Sequence, residues 1–130
     1  MDTRADWDQA LRHEDARIAR YDRPAAVMVV RVRVPLNGTE DRYAGRVGAI
    51  LRELARESDR VTRASTDRFH VLLPETAYGD AEVLAERVRA ACTAVLPDQP
   101  GFALEVLAVS PTRGKSLQEA LCEATTRLVD

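Results

Sequence analysis

Six consecutive apolar residues, Ala25 to Val30, follow Pro24 and lead into the alternating sequence Arg31-Val32-Arg33. A run that is apolar throughout is typical of a strand with both faces covered, whereas alternation is typical of a half-exposed strand. The pattern therefore predicts a strand from Ala25 to Arg33 that is central in its sheet at its beginning and exposed at its end.

Helical spacing of apolar residues recurs on both sides of this strand. It indicates helices at about Ala5 to Tyr21, Asp41 to Glu57 and Gly79 to Leu96. The sequence Ser-Leu-Gln-Glu from Ser116 to Glu119 is a capping box, in which the serine caps a helix and the glutamate reaches back. It predicts a final helix that runs to about Leu128.

Two short runs of β type, Arg60 to Ala64 and Arg68 to Leu73, are separated by the small polar residues Ser65 to Asp67, which indicates a hairpin. The second run ends in consecutive apolar residues, so this strand too is predicted to be covered on both faces. Phe102 to Val109 is the last predicted strand. The order αβαββαβα predicts one mixed sheet with helices packed on it and an antiparallel hairpin.

Length and charge limit the class of protein. The chain of 130 residues fits one domain, taken as residues 1–130, which can bury a core without a disulfide or a metal. A net charge of −2 argues against a nucleic-acid or anionic-membrane binder. With no secretory signal and no apolar run long enough to span a bilayer, a cytoplasmic location is predicted. Cys92 and Cys122 lie in predicted helices and are interpreted as reduced, buried thiols.

The hairpin region carries a family resemblance. Arg-x-x-Asp at Arg56 to Asp59 precedes a strand, the turn sequence Ser65-Thr66-Asp67-Arg68-Phe69 follows, and the next strand ends in Leu72-Leu73-Pro74. This order resembles the central segment of GGDEF (diguanylate cyclase) domains, and Arg20 to Pro24 and Ala85 to Arg89 extend the likeness. The Leu-Thr-Gly-Leu and C-terminal Asp-x-Ala-Leu-Tyr motifs of the family are missing. The resemblance implies an α/β (α+β) fold like that of nucleotide cyclases, with a ferredoxin-like βαββαβ core and a mixed, mostly antiparallel sheet.

The positions that correspond to the catalytic residues of the family differ from it. Its active members hold two divalent cations with a carboxylate at the end of the first strand and another at the fourth signature position, which align with Arg31 and Arg68. Guanidinium groups cannot discharge by deprotonation and repel a cation. Ser65 and Thr66 occupy the two glycine positions, and Asp67 alone keeps its acidity.

The guanine-recognising Asn and Asp of the family map near Asn37 to Thr39 and onto Gly48, which has no side chain. Together with the exchanged catalytic positions, this predicts a domain that makes no cyclic di-GMP. No catalytic residue, metal or cofactor is therefore predicted.

A second feature implied by the resemblance is an inhibitory-type site for cyclic di-GMP, a bacterial second messenger. Arg56 and Asp59 lie five residues before the signature turn, where the family carries this site, and Arg87 falls where a secondary arginine is often supplied. Arginine can donate two hydrogen bonds to guanine, and a carboxylate suits the guanine N–H donors. Arg12 to Asp15 and Arg127 to Asp130 also match Arg-x-x-Asp, but at other positions.

Two functions remain open from the sequence. One is a regulatory receptor that binds cyclic di-GMP at Arg56, Asp59 and Arg87. The other is a protein-interaction or homodimerisation module, in which Arg56 and Asp59 form only a solvated ion pair. Arg31 and Arg68 have two interpretations: they could hold a phosphate directly, without a cation, or they face solvent or pair with Asp67, which is the favoured interpretation. His13 and His70 are assigned no catalytic role.

Overall fold

The computed structural model describes residues 1–35, 40–97, 101–112 and 114–129. The predicted element order αβαββαβα is confirmed. The elements are α1 (Arg4–Tyr21), β1 (Ala25–Arg33), α2 (Glu40–Leu54), β2 (Arg60–Ser65), β3 (Arg68–Pro74), α3 (Tyr78–Thr93), β4 (Ala103–Val109) and α4 (Leu117–Val129). The predicted loop at Asn37 and Gly38 lies outside the described residues.

The strands form one sheet in the order β2-β3-β1-β4, and each of these neighbouring pairs is antiparallel. The predicted ferredoxin-like core is confirmed, but the expectation of a mixed sheet is wrong. β1 and β2, which α2 connects, run in the same direction, and so do β3 and β4, which α3 connects. In the sheet, however, β3 lies between β1 and β2, and β1 lies between β3 and β4. Strands that run in the same direction are therefore separated within this sheet.

Side chains of β1 alternate between two hydrophobic layers, one on each face of the sheet. Met28 and Val30 pack with residues of α2 and α3, and Val27 and Val29 pack with residues of α1 and α4. All four are 0% exposed. Full burial of such a side chain contributes about 1.5–3 kcal/mol, so the apolar run that marks β1 in the sequence also holds the two helical layers together.

Two helices end earlier than predicted. α2 ends at Leu54 and not at Glu57, because the chain turns at Arg56, whose carbonyl accepts a hydrogen bond of 3.0 Å from the Asp59 amide. α3 ends at Thr93 and not at Leu96. The residues that follow form a turn ahead of Pro97, since proline disfavours helical geometry in the residue before it. The early end of α2 leaves Arg56 and Asp59 outside the helix.

The other local predictions have mixed outcomes. The capping box is confirmed, since the Glu119 amide donates to Ser116 Oγ at 3.1 Å and the Ser116 amide donates to Glu119 Oε1 at 3.3 Å. Cys92 is buried as predicted, and burial raises the pKa of its thiol to about 11. The prediction of a buried Cys122 is wrong, because this side chain is exposed on α4. No described helix is long and apolar enough to cross a membrane.

Candidate functional site

Arg56 and Asp59 form a closed arrangement at the turn that follows α2. The Arg56 guanidinium donates from Nη2 to Asp59 Oδ1 at 3.1 Å and from Nε to Asp59 Oδ2 at 3.4 Å. The Arg56 backbone amide donates to the same Oδ2 at 2.8 Å. One carboxylate therefore fixes both the backbone turn and the orientation of the guanidinium.

A third residue, Thr76, completes this arrangement from the loop after β3. Arg56 Nη2 donates to Thr76 Oγ1 at 2.6 Å and to the Pro74 carbonyl at 3.0 Å. Thr76 is 7% exposed, and its hydroxyl also contacts the Pro74 carbonyl at 3.0 Å. Sequence reasoning missed Thr76, because the contact joins residues twenty positions apart and no local pattern marks it.

The two partners differ strongly in exposure. The side chain of Asp59 is 1% exposed and that of Arg56 is 56% exposed. The described hydrogen bonds of the guanidinium use Nε and Nη2, which leaves the two Nη1 hydrogens for a ligand. A buried anion behind a half-exposed cation presents an oriented donor to the outside.

Arg56, Asp59 and Arg87 line one groove of about 280 Å³ between the α2–β2 turn, the loop after β3 and α3. The predicted ligand residues are thus brought together, although they come from separate parts of the chain. Apolar side chains form the rest of one wall, and Glu75 and Asp80 add acidic groups. The apolar residues are Leu54, Leu73, Val83 and Leu84.

Glu75 connects this groove to α1. Its backbone has a positive φ of 51°, a left-handed conformation that is uncommon for a residue with a side chain. Its Oε1 accepts from Arg17 Nη2 at 2.7 Å and from Arg23 Nη1 at 3.0 Å. Exposed ion pairs contribute little stability, but this pair of contacts places the carboxylate beside the Thr76 loop.

The other Arg-x-x-Asp that the structure covers in full has a different arrangement. Asp15 Oδ1 accepts a hydrogen bond of 2.9 Å from the Leu117 amide at the beginning of α4. Arg12 is exposed on α1. The Arg127 match ends at Asp130, which lies outside the described residues. The motif at Arg56 therefore differs in geometry from the one at Arg12.

The signature turn is tighter than predicted. Ser65 belongs to β2, where the ladder is irregular between Arg63 and Ser65, and Thr66 and Asp67 alone form the turn. Ser65 Oγ donates to Asp67 Oδ1 at 2.8 Å. Side chains thus occupy the two positions where the family has glycine, and one of them is bonded to the remaining carboxylate.

Arg31 and Arg68 occupy directly opposed positions in the β1–β3 ladder. Arg31 Nε lies 3.7 Å from Asp67 Oδ2, and its Nη1 donates to the Leu128 carbonyl near the end of α4 at 3.0 Å. The predicted pairing with Asp67 is confirmed for Arg31. Arg68 is half-buried and, among the described hydrogen bonds, its Nε has no partner.

These residues do not fit the divalent cations that the fold implies. Mg²⁺ prefers oxygen ligands, whereas the paired strand positions carry two guanidiniums and Asp67 already contacts Ser65 and Arg31. In the parts of the chain that the structure covers, no group of three or more His, Cys, Asp or Glu side chains could hold a metal ion.

Gly48, which the resemblance aligns with guanine recognition, lies against a core side chain. A Cβ added to Gly48 would lie 3.0 Å from the Phe69 ring, which is 1% exposed. Gly48 therefore fits the ring of the signature phenylalanine, and a longer side chain would need the ring to move. Asn37 and Thr39 lie outside the described residues.

His70 lies on β3 and is partly buried. Its Nε2 is buried without a partner in the structure as described. Burial, with Arg68 and Arg4 nearby, lowers the pKa of His70 to about 4, so the ring is neutral at pH 7. His13 is exposed on α1.

Comparison with known proteins gives structural matches only. No family model and no curated protein sequence matches this chain. A DGC protein from Thermotoga maritima has 20% sequence identity and a TM-score of 0.78, over 92% of this chain and 89% of that one. The GGDEF domain of DgcB from Caulobacter crescentus in complex with c-di-GMP has 11% identity and a TM-score of 0.75, over 95% and 80%.

A third match is to the diguanylate cyclase SiaD in complex with its activator SiaC from Pseudomonas aeruginosa. It has 22% identity and a TM-score of 0.75 over 94% of this chain, which spans 51% of the SiaD chain. The three matches agree with the element order and the antiparallel sheet described above. The chain therefore has the fold of the GGDEF domains of diguanylate cyclases.

Proposed function

We propose that this chain is a catalytically silent regulatory module of GGDEF type that binds cyclic di-GMP in the groove of Arg56, Asp59 and Arg87. The observation that carries the proposal is the oriented Arg56 guanidinium, which is held from behind by a buried carboxylate. A solvated ion pair would not require a partner that is 1% exposed.

The chemistry of the groove suits a guanine nucleotide. Arg56 Nη1 can donate to one acceptor of guanine, O6 or N7, and Arg87, which is exposed and lines the same groove, can contact a phosphate. Asp59 acts first as the residue that positions Arg56. A guanine N–H reaches its carboxylate only if the guanidinium turns aside.

Catalytic silence is supported by electrostatics at the signature turn. Exchange of two carboxylates for two guanidiniums changes the charge there by about four units, because arginine stays protonated. Arg31 also contacts α4 and Asp67, so it contributes to the fold at the position where an active enzyme binds metal. Binding of the dinucleotide is supported by the DgcB domain, which has a similar fold and is described as a complex with c-di-GMP.

Calorimetric titration of the chain with cyclic di-GMP tests the proposal. Saturable binding is expected, and GTP with magnesium should yield no cyclic di-GMP. If a large excess of the dinucleotide produces no binding heat, the receptor function is excluded.

The second candidate is a protein-interaction module. It is favoured by two large exposed side chains on α3, Tyr78 at 52% and Val83 at 61%, of which Val83 lines the groove. SiaD, which has a similar fold, is described with an activator protein. Under this function, substitution of Val83 by Asp would abolish association with a partner or a second copy, and cyclic di-GMP would not bind.

A further inference from the structure

The loop from Glu75 to Ala77 joins β3 to α3, and its first two residues line the groove of Arg56. Glu75 has a φ of 51°. This left-handed conformation is costly for a residue other than glycine, because the Cβ atom crowds the backbone. Thr76, the next residue, is buried, and its hydroxyl accepts from Arg56 Nη2 at 2.6 Å. The backbone turn at Glu75 therefore sets the place of a hydroxyl that orients Arg56.

The residue on the other side of Glu75 contacts the same guanidinium nitrogen. The Pro74 carbonyl accepts from Arg56 Nη2 at 3.0 Å. The φ angle of Glu75 describes the bond rotation that lies between this carbonyl and the Thr76 hydroxyl. A change of this angle would separate the two acceptors, so that Arg56 Nη2 could no longer donate to both.

Two arginines hold the Glu75 side chain from outside the groove. Glu75 Oε1 accepts from Arg17 Nη2, on α1, at 2.7 Å and from Arg23 Nη1, between α1 and β1, at 3.0 Å. Neither arginine is among the described residues that line the groove. Arg17 Nη1 also donates at 3.3 Å to Glu14, which is 4% exposed. Glu75 is thus tied to a guanidinium that a buried carboxylate of α1 orients.

We propose that Glu75 is a positioning residue for the groove. Bound by Arg17 and Arg23, its carboxylate holds the left-handed turn that brings two acceptors onto Arg56. This role rests on the proposed function only where it concerns the affinity for cyclic di-GMP. Exposed ion pairs add little to global stability, but the position of the Arg56 guanidinium decides what it can contact in the groove.

A direct electrostatic effect of Glu75 on the ligand would have the opposite sign. The carboxylate belongs to the wall of a groove that would hold a dinucleotide with negatively charged phosphates. By charge alone, removal of this carboxylate raises the affinity for such a ligand. Loss of the positioning role lowers it. The direction of the change therefore distinguishes the two effects.

Calorimetric titration of Glu75→Ala and Glu75→Gly with cyclic di-GMP tests this role. Alanine removes the carboxylate and keeps the cost of the left-handed backbone, whereas glycine adopts this backbone freely. Affinity should fall about fivefold in Glu75→Ala and return to within about twofold of the unaltered chain in Glu75→Gly. Unchanged or raised affinity in Glu75→Ala, or equal affinities of the two variants, would overturn the proposal.

Arg17→Ala tests the connection to α1. It should lower the affinity about threefold in the unaltered chain and have no effect in Glu75→Gly, which has no carboxylate for Arg17 to hold. Loss of a positive charge alone would weaken binding equally in both backgrounds, so equal effects would refute the proposal. Arg12→Ala removes an exposed arginine from the same helix and should bind like the unaltered chain.

A measurement without ligand separates this role from the binding of cyclic di-GMP. Arg56 Nε donates to Asp59 Oδ2 at 3.4 Å, so NMR exchange of this N–H with solvent reports how firmly the guanidinium is held. The signal is assigned by its loss in Arg56→Lys. Exchange should be faster in Glu75→Ala than in the unaltered chain and slow again in Glu75→Gly. If the unaltered chain binds no cyclic di-GMP, the proposed function fails, but faster exchange in Glu75→Ala would still support the positioning role, and unchanged exchange would refute it.

Discussion

Arg31 and Arg68 stand directly opposite each other in the β1–β3 ladder. Cross-strand neighbours lie about 4.5–5.5 Å apart at Cβ, so two permanent positive charges share the end of the central strand pair. Asp67 lies 3.7 Å from Arg31 Nε and neutralises part of this charge. The end of this strand pair therefore carries a net positive charge and offers no site for a cation.

The first prediction is catalytic silence. GTP with Mg²⁺ or Mn²⁺ should yield no cyclic di-GMP above a protein-free blank, because the paired guanidiniums repel the cations that phosphoryl transfer needs. Chromatography of the nucleotide products checks this, with an active diguanylate cyclase as positive control. Clear product from the unaltered chain would contradict the argument from charge.

The second prediction concerns the role of Thr76 in positioning Arg56. Thr76→Val removes the hydroxyl that accepts from Arg56 Nη2 at 2.6 Å but keeps the shape of the buried side chain. Affinity for cyclic di-GMP should fall about tenfold, since a hydrogen bond to a charged group is worth about 1.5–3 kcal/mol.

Thr76→Ser is the matched control, because it keeps the hydroxyl and should retain affinity within about threefold. Calorimetry on the three proteins gives the comparison. Equal affinities of the Val and Ser variants would show that the hydroxyl does not orient Arg56.

The order of elements could be read from the sequence because helices and strands differ in local periodicity. The apolar run of β1 and the capping box at Ser116 are local signals of this kind, and both correspond to the structure. The adjacency of strands is not local, which is why a mixed sheet was expected where all three pairings are antiparallel.

The candidate site shows the same division. Arg56 and Asp59 are three residues apart, so a motif could identify them. Thr76 and Glu75 are far from Arg56 in the sequence and come to the groove only when the chain folds. The left-handed backbone at Glu75 could not be predicted, because such a conformation is usually marked by glycine or asparagine.

The third prediction is an acid sensitivity caused by His70. Its pKa is about 4 in the folded chain against an ordinary value of 6.5, so the unfolded chain binds the proton more tightly between these values. The stabilising contribution is present above about pH 6.5 and is lost as pH falls towards 4. At about pH 5 the loss relative to pH 7 should be roughly 2 kcal/mol.

His70→Gln should remove this part of the pH dependence, and His13→Gln, at an exposed position, should leave it in place. Urea unfolding at both pH values in phosphate-free buffer measures the free energies. A His70→Gln variant with the same pH dependence as the unaltered chain would show that His70 is not the group responsible.

The last prediction concerns the Arg56 guanidinium as the ligand contact. Arg56→Ala removes a charged donor that faces the groove, so affinity for cyclic di-GMP should fall about tenfold to a hundredfold. Asp59→Ala should also lower the affinity for cyclic di-GMP, because the Asp59 carboxylate orients the Arg56 guanidinium. Arg12→Ala carries the same loss of charge at the other Arg-x-x-Asp and should bind like the unaltered chain.

The most direct measurement is a calorimetric titration of Arg56→Ala and Arg12→Ala with cyclic di-GMP, side by side with the unaltered chain. The account predicts saturable binding by the unaltered chain and by Arg12→Ala, and strongly weakened binding by Arg56→Ala. Equal binding by all three proteins, or no binding by any of them, would contradict it.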